Sequence, residues 1–427
     1  MGEATLDKEQ ALAFLHDTVT PSLGCTEPAC AALAAAAAAG ELRGSVRSVS
    51  LTVNPGLYKN GMSVAIPGFD RVGMDYAAAL GALIGTDAGE LQIFEAITPE
   101  IAQQAKELVA SGNVSVAVDY GRKGIYASCE VASGNEIARA VIEGSHTNLV
   151  MVSRNGAVCM RKERPGEGGG EDFACSLKGM TIAEMSRLVD DMAPSELDWL
   201  VDGAVVNDAM ADWGAKHPSP VGIADALGAG FNGSEVDAMM CAVGAAIESR
   251  LDGCPRSVTS SAGAGSKGLA LTIPLSVAAR YAGSSRERLA RALAFGHLAN
   301  SYINASIGKL SAVCTCAAAA STAAAAALVK LWGGTEEQMG FAIRNMTGAV
   351  SGMICDGGKT GCAMKLAMAT SAAYLSAQMA MGDSVLRKSD GICAATPEQC
   401  IANVARIANV GMANVDAEIL RIMLAKK

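Results

Sequence analysis

Aromatic residues and histidines are scarce in this chain. Phenylalanine, tryptophan and tyrosine make up 4% of its 427 residues, and there are four histidines. The sequence has 47 glycines and several runs of alanine instead. A core of such small side chains requires helices to pack closely, and the 20 methionines can fill irregular gaps between them.

Clusters of basic residues are also absent. The formal net charge is −9, and the sequence contains no run of lysine and arginine interleaved with aromatic residues. Because nucleic acids attract proteins mainly through cations placed against phosphates, we expect no nucleic-acid partner. The longest apolar tract, residues 312–329, is mostly alanine. Alanine is too weakly apolar to drive membrane insertion, so this tract predicts a helix buried among helices and no membrane association.

Signs of an exported protein are missing as well. The 13 cysteines are an odd number, and their spacing follows no disulfide pattern. Residues 1–7 are acidic and lack the apolar segment of a signal peptide. These features predict a reducing, cytoplasmic location.

Hydrophobic periodicity predicts an α+β fold. Apolar residues recur at helical spacing in residues 6–19 and from about residue 28 to 40. An alternating pattern, typical of strands, follows and is interrupted by two further helices. The predicted strands are residues 45–53, 114–118, 125–131, 137–142 and 149–152, and the helices among them are 74–84 and 99–110. From Thr181 onward the periodicity is helical, with breaks near 259–268 and 355–362.

These patterns predict two domains. Residues 1–43 and 176–427 form a large, mainly helical domain, and residues 44–175 form a smaller inserted α+β domain with a mostly antiparallel sheet. Residues 163–172 carry four acidic residues and three consecutive glycines, which predicts an exposed loop. No repeat of 20–50 residues is apparent, so a solenoid is not expected.

Three cysteines near the C-terminus are candidate metal ligands. Cys355 and Cys362 lie at the two ends of a short glycine-rich loop, and Cys314 can approach from a separate helix. Three thiolates and one open position suit a catalytic iron–sulfur cluster, because a fourth protein ligand would close the iron that meets the substrate. By spacing alone, these cysteines could equally be small buried side chains. Cys393 and Cys400 have the same spacing without the glycines, and we interpret them as core residues.

Cys25 lies in the break between the first two helices, followed by Thr26 and Glu27. The unpaired N–H groups and dipole of a helix N-terminus favour a thiolate, which could act as a base, a nucleophile or a metal ligand. The alternative is an inert cysteine, with Thr26 as the helix cap. Glu27 is a second candidate base because its carboxylate could take a proton directly.

Lys59 and Asn60 follow a predicted strand in the segment 54–61. The Asn60-Gly61 pair is typical of a hairpin turn, but both side chains are also donors that suit a carboxylate.

The segment 257–268 combines hydroxyl groups, glycines and one cation. Its candidate ligand groups are Ser260, Ser261, Gly263, Gly265 and Lys267, which together could bind a small carboxylate or a phosphate. Lys267 is not placed as in a nucleotide-binding phosphate loop, so a nucleotide is not expected. A flexible connection between helices is the other interpretation.

Two histidines have polar neighbours in this apolar protein. His146, beside Thr147 and Asn148, lies between two predicted strands, and His297 lies on a predicted helix. Single histidines are usually structural, but such clusters make both of them candidates for binding or catalysis.

Six ordered motifs resemble the L-cysteine desulfidase family, which is similar to the alpha-chain domain of iron–sulfur L-serine dehydratases. The resemblance spans nearly the whole chain. The motifs are residues 24–28, Lys59-Asn60-Gly61, His146-Thr147-Asn148, the loop 261–268, residues 310–314, and residues 351–357 with 362–365.

This resemblance implies a [4Fe–4S] cluster on Cys314, Cys355 and Cys362, and β-elimination from a small amino acid. L-cysteine would give pyruvate, ammonia and hydrogen sulfide, whereas an L-serine dehydratase would give pyruvate and ammonia. The candidate bases are Cys25, Glu27 and His297, and the substrate carboxylate would bind the loop 260–268 with Lys59 or Asn60.

Two departures from the family pattern bear on this expectation. Cys316 is an additional thiol close to Cys314, and the C-terminal residues 423–427 lack the cysteine tail of some serine dehydratases, which favours the desulfidase. An iron–sulfur or thiol sensor without turnover is a third possibility. A homo-oligomer is possible.

Overall fold

The computed structural model describes residues 6–122, 124–162, 177–217, 219, 221–230, 232–308 and 311–426. The predicted loop at 163–172 lies outside these ranges. The fold is α+β, as the periodicity predicted.

A six-stranded sheet forms the centre of the N-terminal part. Its strands are β2 (Ser48–Val53), β3 (Val114–Val118), β4 (Tyr126–Ser133), β5 (Glu136–Glu143), β6 (Leu149–Arg154) and β7 (Ala157–Arg161). Their order is β3-β2-β4-β5-β6-β7, and every pair except the parallel pair β2–β3 is antiparallel. This confirms the mostly antiparallel sheet. Strand β7 was not predicted, since its mostly exposed residues do not alternate between buried and exposed positions.

Helices cover one face of this sheet. They are α2 (Thr26–Ala39), α3 (Pro55–Gly61), α4 (Met74–Ile84) and α5 (Pro99–Ala110). Alanines of α2 and α4 share a hydrophobic core with Val49, Leu51 and Val53 of β2. The division into domains at residues 44 and 175 stays a prediction. Helix α2 packs in the core beside the sheet, although the predicted boundary at residue 44 assigns this helix to the helical domain.

Most of the remaining helices enclose a second, larger core, whereas the last one contributes Leu420 to the core beside the sheet. They are α1 (Lys8–Thr18), α6 (Ile182–Asp190), α7 (Pro194–Lys216), α8 (Ile223–Ala229), α9 (Glu235–Leu251), α10 (Gly265–Ala282), α11 (Arg286–Ile307), α12 (Thr322–Trp332), α13 (Glu336–Val350), α14 (Cys362–Met381), α15 (Pro397–Arg406) and α16 (Val415–Leu424). A π-helical segment, Cys316–Ser321, leads into α12. The alanine-rich tract is therefore a buried helix, as predicted, and Cys393 and Cys400 are buried. No helix in the described ranges is both long and apolar enough to span a membrane.

Two short backbone pairings bring distant segments together. Strand β1 (Pro21–Leu23) pairs antiparallel with β8 (Ser257–Thr259), which places the segment before α2 beside the start of α10. An isolated bridge joins Val313 to Ile354. Neither pairing could be predicted from hydrophobic periodicity, because each involves three residues or fewer.

The crossing of α2 and α4 provides a test of the close packing. A Cβ atom added at Gly81 would lie 2.1 Å from the carbonyl oxygen of Ala32, whereas one at Gly228 would meet nothing within 4 Å. We expect Gly81→Ala to lower the free energy of unfolding by about 1–3 kcal/mol, because the two backbones must separate. Gly228→Ala in a helix should leave stability unchanged or raise it by about 0.5–1 kcal/mol. Urea unfolding measures both, and equal effects of the two substitutions would contradict this view of the crossing.

Candidate active site

The three predicted thiols converge on one place. The N–H group of Cys314 donates to the carbonyl of Met353 at 2.8 Å, and that of Cys355 donates to Ala312 at 2.7 Å, so the bridge between these segments sets both cysteines side by side. Cys362 is the first residue of α14. Burial raises the pKa of Cys362 to about 11, and the nearby thiols of Cys314 and Cys355 contribute to this shift. The cysteines thus act on one another electrostatically.

Lysine side chains surround these thiols. Lys365 donates to the carbonyl of Ile354 at 2.9 Å, and its charge acts on both Cys314 and Cys362. Burial raises the pKa of Cys355, while the charge of Lys59 opposes that shift. The hydrogen bond donated by Cys316 lowers the pKa of Cys314. These cations favour the thiolate forms, but burial still holds the pKa of Cys355 and of Cys362 above the usual value.

The assignment of these three cysteines to an iron–sulfur cluster stays a prediction. Over the described part of the chain, no three cysteine, histidine or acidic side chains lie close enough to bind one ion together. Each thiolate of a cubane cluster binds a different iron, so its ligands stand further apart. On a four-iron cluster, the candidate ligands Cys314, Cys355 and Cys362 would leave one iron without a thiol from this set.

Lys59 is held inside the protein by groups from three segments. Its side chain is 1% exposed, and its Nζ lies 2.6 Å from Asp416 of α16 and 2.8 Å from the carbonyl oxygen of Cys355. A longer contact of 3.5 Å reaches the carbonyl of Ser311. The hairpin interpretation of this segment was wrong, because Pro55 starts helix α3 at its first position and the chain stays helical to Gly61.

Cys25 and Glu27 form a hydrogen-bonded pair. Cys25 is the N-cap residue of α2, and its thiol donates to Glu27 Oε2 at 2.8 Å. Desolvation and then the charge of Glu27 raise the pKa of Cys25 well above its usual value. The expected thiolate at the helix N-terminus is therefore corrected: burial and then the carboxylate of Glu27 favour the neutral thiol, against a helix dipole equivalent to only about 0.5 charge.

The carboxylate of Glu27 is the ionised member of this pair. Burial raises its pKa, but the charge of His146 and hydrogen bonds from Cys25 and Asn60 outweigh burial, so the pKa lies below its usual value. Asn60 Nδ2 donates to Glu27 Oε1 at 3.0 Å. The Cys355 thiol lies 3.8 Å from Asn60 Oδ1, so Asn60 links the carboxylate to the candidate ligand.

The loop between β5 and β6 contributes one of its three predicted residues to this arrangement. His146 lies near enough to Glu27 for its charge to act on that carboxylate. Asn148 instead donates to the carbonyl of Glu143 at 2.9 Å, which closes the loop. Thr147 is exposed, and its carbonyl accepts a hydrogen bond from Leu149. The loop thus holds His146 in place through Asn148.

The serine segment after β8 is anchored by α11. Ser261 is fully buried, and its Oγ accepts a hydrogen bond of 2.7 Å from Asn300 and lies 2.8 Å from Nδ1 of His297. Ser260 Oγ contacts Thr20 and the carbonyl of Thr18. The hydroxyl groups thus hold the segment in place, so the interpretation as a loose connection does not hold.

The glycines and lysine of this segment lie at the start of α10. Gly263 adopts φ +71 in the turn before the helix, and Gly265 is its first residue. Lys267 is 6% exposed, and its charge acts on Cys316. The N-terminus of α10 therefore points toward the cysteines.

Several residues of this site were not found from the sequence. Arg250 is 2% exposed, and Glu27, Cys25 and Cys316 lie near enough to its guanidinium to act on it electrostatically. Asp416, the partner of Lys59, lies in the C-terminal helix. The polar run Glu248-Ser249-Arg250 at the end of the apolar helix α9 was the available signal for Arg250. Asp416 gave none, because charged residues are common on surface helices.

Comparisons with known proteins identify the family of this chain. The sequence profile of the serine dehydratase alpha chain matches residues 89–421. The chain belongs to this family. It is also similar to UPF0597 proteins from Desulfatibacillum aliphaticivorans (34% identity, covering 97% of this chain and 98% of the relative) and Oleidesulfovibrio alaskensis (36%, 97% and 97%). The UPF0597 protein YhaM of Escherichia coli O139:H28 is 35% identical over the full length of both chains. The family is one of lyases, and the names of the UPF0597 relatives specify no substrate.

The buried His297 should make stability depend on pH. Burial lowers its pKa to about 3, so the folded protein keeps it neutral while the unfolded chain protonates it near pH 6.5. Below about pH 6.5 the unfolded state therefore binds more protons than the folded state, so the free energy of unfolding decreases as the pH decreases. Between pH 7.5 and 5 we expect the wild type to lose about 2 kcal/mol more free energy of unfolding than His297→Gln.

Urea unfolding at several pH values measures this difference. His217→Gln removes an exposed histidine and should keep the wild-type pH dependence. Equal slopes for the wild type and His297→Gln would contradict the assignment of a neutral, buried imidazole.

Proposed function

We propose that the protein is an iron–sulfur-dependent lyase that removes the β-substituent of L-cysteine, giving pyruvate, ammonia and hydrogen sulfide. The observation that carries this proposal is the meeting of three candidate thiol ligands with an ionised carboxylate, Glu27, linked through Asn60. A base beside an open iron is what elimination from an amino acid requires. The free thiols of the described residues and the absence of basic clusters in the sequence fit a cytoplasmic enzyme that acts on a small molecule.

Cys314, Cys355 and Cys362 would hold a [4Fe–4S] cluster. When bound, such a cluster supplies an open iron that can act as a Lewis acid toward the leaving sulfur or oxygen. The chain contributes the shape and charge of the site. Lys59 fixes the carbonyl of Cys355, and Lys365 fixes that of Ile354, so the ligand loop keeps its position.

The serine segment and the N-terminus of α10 would bind the substrate carboxylate. The first backbone N–H groups of a helix lack intrahelical acceptors and carry partial positive charge. The N-cap residue Ala264 has no side chain that could satisfy them. Ser260 and Ser261 shape this segment and Lys267 adds charge, whereas Lys59 and Asn60 are occupied with the ligand loop and the base.

Glu27 is the best candidate for the base that removes the α-proton. It is ionised and buried, and its two oxygens accept hydrogen bonds from Cys25 and Asn60. Cys25, as a protonated thiol, would position this carboxylate. His297 is neutral and bonded to Ser261, so we assign it to the support of the carboxylate-binding segment. The released aminoacrylate becomes an imine and hydrolyses in water to pyruvate and ammonia.

L-Serine is the alternative substrate. The match to the serine dehydratase alpha chain favours it, because the same base and carboxylate contacts would serve a hydroxyl leaving group. The pyruvate assay below distinguishes the two substrates.

Cluster binding can be tested by substituting single cysteines. Protein purified without oxygen should be brown and contain about four irons per chain. Cys314→Ser, Cys355→Ser or Cys362→Ser should abolish the colour, because each removes one of three ligands. Cys393→Ser and Cys400→Ser alter buried cysteines outside the site and should retain it. Iron and sulfide quantitation measures the outcome, and a full cluster in Cys355→Ser would refute the ligand assignment.

The roles of Glu27 and Cys25 can be separated by kinetics. With the cluster present, Glu27→Gln should lower kcat by roughly 100-fold or more, the loss typical of removing a general base. Cys25→Ser keeps a donor to Glu27 and should lose less. Pyruvate formation from L-cysteine and from L-serine is the measurement, with iron content determined for each variant. Near wild-type turnover by Glu27→Gln would exclude it as the base, and no pyruvate from either substrate in the wild type would end the proposed function.

A further inference from the structure

Arg250 is a buried cation with which no carboxylate of the described residues forms an ion pair. It is the last residue but one of α9, and its side chain is 2% exposed. Among the residues that the structure describes, no aspartate or glutamate forms a salt bridge with it; the other arginine ion pairs involve partly exposed side chains. An isolated buried charge is costly, so such a group normally pairs with an opposite charge. Glu27 acts on Arg250 electrostatically without forming an ion pair with it, so a directly bound anion is still missing and a ligand can supply it.

The guanidinium of Arg250 is held by three hydrogen bonds, but not all of its N–H donors have an acceptor among the described residues. Nη1 donates to the carbonyl of Ser22 at 3.1 Å, and Nη2 donates to Ser22 Oγ at 3.1 Å and to the carbonyl of Gly24. These bonds use three of its five N–H donors. The Nε–H group is buried and has no acceptor in the described structure. A buried donor of this kind usually has a partner, so a ligand oxygen is the natural candidate.

The same guanidinium lies against the N-terminus of α10. A Cβ atom added at Gly265, the first residue of that helix, would be 2.3 Å from Arg250 Cζ. Only glycine therefore permits this approach. One turn into the helix, Lys267 is 6% exposed. The positive end of this 18-residue helix and the guanidinium of Arg250 thus lie close together.

We propose that Arg250 binds the carboxylate of the amino-acid substrate, together with the first N–H groups of α10. This inference rests on the proposed function, which supplies an amino acid as the ligand. Arginine suits a carboxylate because its planar guanidinium can offer more than one hydrogen bond. The carboxylate of Glu27 acts on Arg250 electrostatically, and the thiol of Cys25 is also near it. A carboxylate bound here therefore places the neighbouring Cα of the substrate in the same cluster of side chains as the base.

The test is the binding of L-alanine, which has the carboxylate and the amino group but no β-leaving group. Calorimetry on the cluster-loaded protein without oxygen gives its Kd. Arg250→Met should raise that Kd at least about 30-fold, because a buried, charge-assisted contact is lost. Arg344→Met is the matched control. Arg344 also donates to backbone carbonyls and has an Nε without an acceptor, but it is partly exposed and lies on α13.

Arg250→Lys covers the case in which Arg250→Met fails to fold. It retains the charge but loses the planar set of donors, so the Kd should still rise by about 10-fold. An unchanged affinity in either folded variant overturns the inference, as does a wild type that does not bind L-alanine. Loss of iron from Arg250→Met with retained L-alanine binding would assign the guanidinium to the cluster instead, and would also overturn it.

The result is independent of whether the proposed reaction occurs. A wild type that binds L-alanine through Arg250 but forms no pyruvate supports this inference and contradicts the proposed function. Pyruvate formation with unchanged L-alanine affinity in Arg250→Met supports the function and contradicts the inference.

Discussion

The ammonium group of Lys59 joins three segments that are far apart in the sequence. Lys59 lies on α3, and its ammonium group donates to the carbonyls of Ser311 and Cys355 and pairs with Asp416 of the C-terminal helix. The segment of Ser311 leads to Cys314, and Cys355 begins the glycine loop, so one buried cation fixes the backbone at two of the candidate ligands. Removing it would leave Asp416 and two carbonyls without their donor, at the cost expected for breaking a largely buried pair. The site therefore depends on a contact between the small sheet-containing part and the helical part of the protein.

Burial also decides which member of the Cys25–Glu27 pair carries a negative charge. Both side chains lie at the start of α2, where the helix dipole favours negative charge. Only one of them keeps that charge. The carboxylate is intrinsically the stronger acid, and it gains hydrogen bonds from Asn60 and Cys25 as well as the charge of His146. The thiol of Cys25 stays protonated and donates a hydrogen bond to Glu27. The pair therefore provides a buried, ionised carboxylate rather than a nucleophilic thiolate.

Much of the fold could be predicted because it depends on local patterns. The sheet strands at 114–118 and 137–142 and the helices at 74–84 and 99–110 are found where the alternating and helical periodicities placed them. The errors occurred where local signals conflicted with tertiary contacts. The segment 54–61 carries a hairpin signal at Asn60-Gly61, yet packing of its apolar residues against the sheet core and the α16 contact of Lys59 keep it helical. Strand β7 was missed because its exposed residues carry no alternation.

The sequence by itself determined the class of fold, the set of cysteines that could bind a cluster, and the polar segments near residues 25, 59 and 260. These depend on residue type and spacing, which are visible in the chain. The tertiary structure decided which groups share one site and which of them carry charge. Arg250 and Asp416 belong to the site because α9 ends there and α16 begins there. The pKa of Glu27 lies below its usual value because His146, Cys25 and Asn60 outweigh the effect of burial. The physical reason is that pKa values and buried ion pairs depend on distances between segments, and these distances are set by packing rather than by position in the sequence.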